Sequence, residues 1–140
     1  MARIRHIAIM TADTRKLADF YKTAFEMVEV WARPKENGAV YLSDGYLNLA
    51  ILPNTSAESE GVPEGIHHFG FQVDDVDAAE HLALEHGATA GRTAVPQDGR
   101  FAEGYIRDPI GQRVDLSKGG WKTEPIDRTP LHVAAGRGSK

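Results

Sequence analysis

Two stretches of the chain, 62 positions apart, show the same alternation of apolar residues with small or polar ones. Residues 6–13 read HIAIMTAD, and residues 68–75 read HFGFQVDD. Each stretch begins at a histidine, alternates with the period of two of a β-strand, and ends at an aspartate that can cap a following helix. The sequence therefore predicts an internal repeat in which each copy starts with a strand.

An apolar stripe follows each predicted strand and indicates an amphipathic helix. The stripe residues recur at the spacing of one helix face, namely Leu17, Phe20, Tyr21, Ala24 and Phe25, and in the second copy Ala79, Leu82 and Ala83. The second helix is predicted to stop at Gly87, a residue type that suits a left-handed helix end. The first copy has Glu26 near the corresponding stop, where a left-handed conformation costs about 1 kcal/mol.

A hairpin is predicted after each helix. The four strands cover residues 39–43 and 46–52 in the first copy and residues 103–107 and 112–116 in the second. Asp44-Gly45 is typical of a two-residue hairpin loop, which would pair Ser43 with Tyr46. The DPIG stretch at 108–111 is typical of a type I turn followed by a glycine bulge.

Edge strands near 27–31 and 89–93 complete the same β-α-β-β-β order in both copies. The predicted parts are one domain over residues 1–117, with module 1 at about 4–52, a loop at 53–65 and module 2 at about 66–117, followed by a C-terminal tail at 118–140. We expect the tail to lie against the surface, held by Trp121 and Leu131.

The alternation sorts the strand residues onto two faces, and the bulkier face of each strand is expected to pack against the helices. The opposite face carries small or polar residues, which suits the lining of a cavity better than a core. Its predicted central members are His6, Asn48, His68 and Asp115, surrounded by Tyr41, Tyr46, Gln72, Tyr105, Arg107 and Arg113. His67 is expected to point toward the helix layer.

The composition is that of an ordinary globular protein, with 41% hydrophobic and 26% charged residues. A net charge of -4 argues against a nucleic-acid partner, which would favour a basic patch. No apolar run reaches the roughly 18 residues of a membrane helix, and no signal peptide is evident. The absence of cysteine excludes disulfides and thiolate metal sites, and we expect a cytoplasmic protein.

Two imidazoles and a carboxylate converging in a cavity indicate a divalent-metal site, for Fe2+, Mn2+, Ni2+ or Zn2+. A pseudo-twofold axis would carry His6 onto His68 and bring Asn48 roughly onto Asp115. A single strand histidine is more often structural, and Asp115 could instead pair with Arg113 or Arg107. For Asn48, three roles stay open: weak ligand, substrate hydrogen-bonder or structural amide.

Four stretches of the chain resemble the vicinal oxygen chelate superfamily of glyoxalase I, extradiol dioxygenases, methylmalonyl-CoA epimerase and bleomycin-resistance proteins. The matching stretches are 5–9 (RHIAI), 19–25 (DFYKTAF), 67–75 (HHFGFQVDD) and 107–116 (RDPIGQRVDL). The resemblance implies an α+β fold in which two βαβββ modules form a half-open barrel around one metal. It assigns the ligand role to His6, His68 and Asp115 and places the fourth family position on Asn48.

Two departures from the family pattern bear on the chemistry. Catalytic members usually have Glu where this chain has Asp115, and glyoxalase-type members have Glu or His where it has Asn48. The second departure argues against the glutathione-dependent glyoxalase reaction, because an amide is a weak neutral ligand. A three-ligand His-His-carboxylate site is nearer the dioxygenase pattern.

These observations favour a divalent-metal-dependent enzyme acting on a small substrate with vicinal oxygens, dioxygenase-like or glyoxalase-like (lyase or isomerase). Tyr105 or a metal-bound hydroxide is the candidate base, and Tyr46, Arg107 and Gln72 are candidate substrate-binding residues. The alternatives are a metal-free small-molecule binding protein of the bleomycin-resistance type and a scaffold whose histidines merely fill a cavity. We expect a homodimer, because the open sheet edges of one module pair need cover.

Overall fold

The computed structural model describes residues 1–92 and 103–119 of the 140-residue chain. Its elements are β1 (Arg3–Thr11), α1 (Thr14–Phe25), β2 (Val28–Ala32), β3 (Val40–Ser43), β4 (Asn48–Pro53), a 3-10 turn (Ala57–Ser59), β5 (Gly65–Gln72), α2 (Val76–Glu85), β6 (Thr89–Ala90), β7 (Gly104–Arg107) and β8 (Arg113–Ser117). The predicted β-α-β-β-β order is confirmed in both halves. Thr93 and residues 120–140, including Trp121 and Leu131 of the predicted tail, lie outside the described residues.

The eight strands form one mixed sheet in the order β2-β3-β4-β1-β5-β8-β7-β6. Strands β1 and β5 run antiparallel at its centre, and each pairs in parallel with the last strand of its own half, β4 or β8. From either edge, the strands of a half follow in the same order, because β2, β3, β4 and β1 correspond to β6, β7, β8 and β5. This is the arrangement of two modules related by a pseudo-twofold axis. The predicted α+β fold of paired, incompletely closed modules is confirmed.

The helix ends follow the sequence signals. Asp13 and Asp75 cap α1 and α2, since their side-chain oxygens accept the backbone N–H groups of Lys16 (3.0 Å) and Ala78 (2.9 Å). Glu26 ends α1 in the left-handed conformation, with φ 56°, and Gly87 follows α2 with φ +98°. Among the described residues, no helix is long and apolar enough to cross a membrane.

The apolar faces of the strands pack under the helices, as predicted. In the first half, Ala18 of α1 is fully buried with Val40, Leu42 and Ile51. The second cluster comprises Val73, Ile106, Val114 and Leu116, with Ala79 and Ala83 of α2 packed against it. Removal of these surfaces from water is the main force that holds each helix to the sheet.

The first hairpin differs from the prediction. Ser43 pairs with Asn48 rather than with Tyr46, so the loop contains four residues, 44–47, instead of two. The Asp44 carboxylate explains the longer loop, because one of its oxygens accepts the N–H groups of both Tyr46 and Leu47 at 2.8 Å. A shift of two positions preserves the alternation, so Ser43 still shares a face with Asn48.

The second hairpin matches its prediction. Gly111 donates its N–H to the carbonyl of Asp108 at 2.8 Å and has φ +87°, which is the type I turn followed by a left-handed glycine. Tyr105 is thereby paired with Asp115, and both lie on the face opposite the helices.

We call this second side of the sheet the inner face; it carries His6, Ala8, Asn48, Ala50, His68, Gly70, Tyr105 and Asp115. Its curvature is visible in a contact between His6 of β1 and Glu103, which precedes β7, at 3.4 Å. Strands β5 and β8 lie between them, so a flat sheet would separate the two by about 14 Å. The sheet therefore curls over its inner face and buries residues that no helix covers.

Candidate metal centre

The two histidines face each other across the central strand pair, and each lies opposite a small residue of the other strand. His6 pairs with Gly70, and His68 pairs with Ala8. A Cβ atom on Gly70 would overlap Cε1 of the His6 ring, so glycine provides the space that this imidazole occupies. The rings meet edge to face, with centroids 5.4 Å apart.

Asp115 of β8 completes a group of three metal-type donors. Its Oδ2 lies 3.3 Å from Nε2 of His68 and 3.8 Å from Nε2 of His6. One potential ligand atom from each residue lies within 4.8 Å of the others, and all three residues are buried. The sequence prediction brought these three residues together, and the geometry provides a possible metal site.

The sequence left open whether Asp115 serves as a ligand or pairs with an arginine, and the structure shows a close arginine pair. Arg113 donates to the two carboxylate oxygens of Asp115 through Nε (2.7 Å) and Nη2 (3.0 Å). The same guanidinium lies 4.4 Å from the centroid of the Tyr105 ring. A two-point pair of this kind fixes the plane of the carboxylate and keeps its remaining lone pairs available.

The second nitrogen of each histidine also has a polar neighbour. Nδ1 of His6 lies 3.4 Å from Oε1 of Glu103, and Nδ1 of His68 lies 2.8 Å from Nδ1 of His67. His67 was predicted to face the helices, but the strand is irregular there. Ala8 pairs with His68 and the next residue, Ile9, pairs with Ile66, so His67 is an extra residue in the ladder. The alternation of faces along the strand therefore does not predict the direction of its side chain.

Burial sets the charge states of these groups. It lowers the pKa of both His6 and His68 to about 4, an effect that the Asp115 charge only partly offsets. Both imidazoles are therefore neutral near pH 7, as metal ligation requires. Burial raises the pKa of Glu103 to about 8, and the neighbouring Asp115 charge adds to this effect.

Asn48 lies beside His6 on the inner face and is almost completely buried. Within residues 1–92 and 103–119, neither its Oδ1 nor its Nδ2 has a hydrogen-bond partner. An amide without partners is costly in a protein interior. A substrate oxygen could accept a hydrogen bond from Nδ2, and a donor or a metal ion could satisfy Oδ1. A ligand role for Asn48 stays a prediction.

The expected superposition of Asn48 on Asp115 is wrong. His6 pairs with Asn48 in β4. In the second half the β5–β8 register begins at Phe69 and Val114, and extending it by one residue places Arg113 beside His68. The residue equivalent to Asp115 is Ala50, because Ala8 pairs with Ala50 as Gly70 pairs with Asp115. The first hairpin loop is two residues longer than the sequence predicted, which displaced the comparison by two positions.

The other predicted site residues lie around this centre. Tyr105 is half-buried and paired with Asp115, whereas Arg107 is exposed at the end of β7 and donates to the Gly111 carbonyl at 3.1 Å. Gln72 ends β5 and donates to the Lys118 carbonyl at 3.2 Å. Tyr46 lies in the 44–47 loop, where its carbonyl accepts from Arg5 at 3.1 Å. Their proposed contacts with substrate stay predictions.

Two neighbours of the donors, Glu103 and His67, were not selected from the sequence. Glu103 was detectable, because it lies two positions before Tyr105 and therefore shares its strand parity. His67 was not, because its orientation depends on a strand irregularity that the alternation does not reveal.

A family model described as the Glyoxalase/Bleomycin resistance protein/Dioxygenase superfamily matches residues 3–116. The chain belongs to this superfamily. The resemblance noted in the sequence is thus confirmed over both modules, and the His6–His68–Asp115 group lies inside the matched region.

Solved structures of similar fold include members of the same superfamily. A hypothetical protein, BH1468 from Bacillus halodurans, is 18% identical with a TM-score of 0.71, covering 88% of this chain and 98% of that one. Methylmalonyl-CoA epimerase from Mycobacterium tuberculosis is 17% identical with a TM-score of 0.66, covering 81% and 85%. A variant of the Streptomyces coelicolor methylmalonyl-CoA epimerase, in complex with 2-nitronate-propionyl-CoA, is 21% identical with a TM-score of 0.64, covering 82% and 95%. No curated protein matched the sequence.

Proposed function

We propose that this chain is a divalent-metal-dependent enzyme that binds a small substrate through two neighbouring oxygen atoms. The observation that carries the proposal is the group formed by His6, His68 and Asp115, whose ligand atoms lie within 4.8 Å of one another. Neutral imidazoles with a carboxylate suit Fe2+, Mn2+, Ni2+ or Zn2+. When bound, such a cation supplies Lewis acidity that stabilises an enolate or catecholate form of the substrate.

The donor set leaves room for a substrate. Three protein ligands occupy half of an octahedral shell, and the position equivalent to Asp115 in the first half is Ala50, which has no ligand atom. The buried amide of Asn48 can hydrogen-bond a substrate oxygen beside His6. These features support binding of two oxygens at adjacent open positions.

The charge of the site supports an anionic substrate form. Both histidines are neutral because burial lowers their pKa, and Arg113 offsets the charge of Asp115 at 2.7 Å. A divalent cation would therefore keep most of its charge for the substrate. Arg107 at the hairpin end and Tyr105 beside Asp115 are the proposed substrate-binding residue and base.

We place isomerase or lyase chemistry first, because the fold neighbours include epimerases. A dioxygenase is the second candidate. Two histidines and one carboxylate on one side of the metal are the donor set of non-haem Fe(II) oxygenases, and the absence of a donor at Ala50 favours it. Homodimer formation and a cytoplasmic location remain predictions. A dimer would cover β2 and β6, which are the outermost strands of the sheet among the described residues.

Elemental analysis of protein purified anaerobically tests the proposal. We expect one divalent metal per chain in the wild type and none in H68A. H86A is the matched control, because His86 is exposed at the end of α2 and should leave the metal content unchanged. A wild-type protein free of metal, and unable to take it up, would support the metal-free binding protein instead.

The reaction class is then tested on the metal-loaded protein. An Fe2+-loaded sample that consumes oxygen with a catechol supports the dioxygenase. A Ni2+- or Zn2+-loaded sample that exchanges a carbon-bound proton next to a carbonyl for deuterium supports the isomerase or lyase. If several catechols and 2-oxo compounds give no activity in either assay, the result supports a protein that binds a small molecule without catalysing a reaction.

A further inference from the structure

The two nitrogens of the His6 ring face two different carboxyl groups. Nε2 lies 3.8 Å from Oδ2 of Asp115, and Nδ1 lies 3.4 Å from Oε1 of Glu103. The ring is almost fully buried and is held over Gly70, where a side chain would overlap it. Glu103 thus lies beside the ring nitrogen other than the one that faces Asp115.

Glu103 is not one of the donors. The metal-type group among the described residues consists of His6, His68 and Asp115, and Glu103 does not belong to it. Its Oε1 is nevertheless buried, without a hydrogen-bond partner among these residues. Burying a carboxyl oxygen is unfavourable, and no hydrogen bond from the described residues offsets this cost for Oε1 of Glu103.

The chemistry of imidazole explains what such a carboxyl can do. A neutral ring has one N–H and one lone pair, and the nitrogen that binds a metal must carry the lone pair. If Nε2 of His6 faces the metal with Asp115, its proton has to be on Nδ1, which points at Glu103. A movement of about 0.5 Å would bring the 3.4 Å separation into the usual hydrogen-bond range.

We propose that Glu103 is a positioning residue that accepts the Nδ1–H of His6 and thereby directs Nε2 to the metal. The inference rests on the proposed metal-dependent function and extends it to a residue outside the donor set. Carboxylates that orient ligating histidines raise metal affinity by about 10–100-fold. The corresponding neighbour of His68 is the neutral ring of His67 at 2.8 Å, so the two histidines are held by different chemistry.

Co2+ titration of the metal-free protein tests this role. We expect E103L to bind Co2+ about 10–100-fold more weakly than the wild type, with a changed visible ligand-field spectrum. E103Q keeps an oxygen acceptor and should restore most of the affinity and the wild-type spectrum. E85L is the matched control, because it makes the same Glu-to-Leu change at an exposed position on α2, away from the three donors.

The possible failures separate the two proposals. A wild-type protein that binds no Co2+ overturns the proposed function and, with it, the role of Glu103. Equal affinity and equal spectra for wild type and E103L overturn the positioning role alone. Should E103L not fold by circular dichroism, nitrogen NMR of the Zn2+-loaded wild type decides, because zinc on Nδ1 of His6 contradicts the proposal and a proton there supports it.

Discussion

The first half of the molecule, β1–β4 with α1, is packed more tightly than the second half, β5–β8 with α2. Helix α1 buries Thr14 and Ala18, whereas α2 has no fully buried residue. The core under α1 is fully excluded from water, and the cluster under α2 keeps 5–7% exposure. The first half therefore has the core that is better shielded from water.

The charged groups show the opposite distribution. On the inner face the first half contributes His6 and the neutral side chain of Asn48, with Ala50 at the position equivalent to Asp115. The second half contributes His68, Asp115, Arg113 and Glu103. Two modules of the same topology therefore contribute differently. The first supplies most of the fully buried core, and the second supplies most of the charge at the candidate metal centre.

Removal of the Asp115 carboxylate should have the largest effect among the substitutions that compare the two halves. D115A is expected to lower metal affinity by at least about 100-fold, more than loss of an orienting group, because it removes a charged donor. N48A, the inner-face change in the first half, should lower it less than tenfold. Isothermal titration with Zn2+ measures both; equal losses would mean that the halves contribute alike.

Matched core substitutions test the packing difference. Ile51 is fully buried in the first half and Ile106 is 7% exposed in the second. Ile-to-Ala changes cost about 2–5 kcal/mol of unfolding free energy, and we expect I51A near the upper end and I106A near the lower. Urea denaturation of the metal-free variants provides the values. A larger loss of unfolding free energy in I106A would show that the second half, rather than the first, has the more tightly packed core.

G70A probes the space beneath His6. The added methyl overlaps the imidazole and should displace it, lowering Zn2+ affinity by about tenfold or more, as for a lost orienting contact. A8G, the equivalent position opposite His68, removes a methyl and should leave the affinity within a few-fold of wild type. The same Zn2+ titration applies, and an unchanged affinity in G70A would show that the ring can sit elsewhere.

The stability of the metal-free protein should depend on pH in two opposing ways. The folded-state pKa of His6 and His68 is about 4, below the usual 6.5, so the unfolded chain binds more protons and stability falls as pH drops from 6.5 toward 4. The pKa of Glu103 is raised from 4.5 to about 8, so its contribution falls as pH rises toward 8. Urea midpoints between pH 6.5 and 8 should decline in wild type and stay flat in E103Q; a decline of equal size in both would contradict the assignment to Glu103.

The smallest effect is expected at the end of α1. Glu26 adopts φ 56°, whereas the second half has Gly87 at its helix end. E26G should stabilise the protein by about 1 kcal/mol, because the left-handed strain disappears. A thermal melt should show a rise of several degrees, and a fall would mean that Glu26 contributes contacts that outweigh the strain.

The sequence was sufficient for what depends on local period and residue type. The alternation around His6 and His68, the capping aspartates and the DPIG turn predicted the element order, and the faces brought three donors together. It failed where side chains change the register. Asp44 lengthened one loop and displaced the repeat comparison, so that Ala50 rather than Asn48 is equivalent to Asp115. Glu103 reaches His6 only because the sheet curls, which no strand pattern encodes.

The seating of each imidazole over a small residue of the opposite strand limits how this chain can evolve. His6 occupies the volume that a side chain at position 70 would need, and His68 lies opposite position 8. A library randomised at positions 8 and 70 and selected for metal-dependent turnover should return glycine at position 70 and alanine or glycine at position 8 almost exclusively. A larger residue at either position would displace the histidine contributed by the other half. We therefore expect substitutions in the two modules to be coupled.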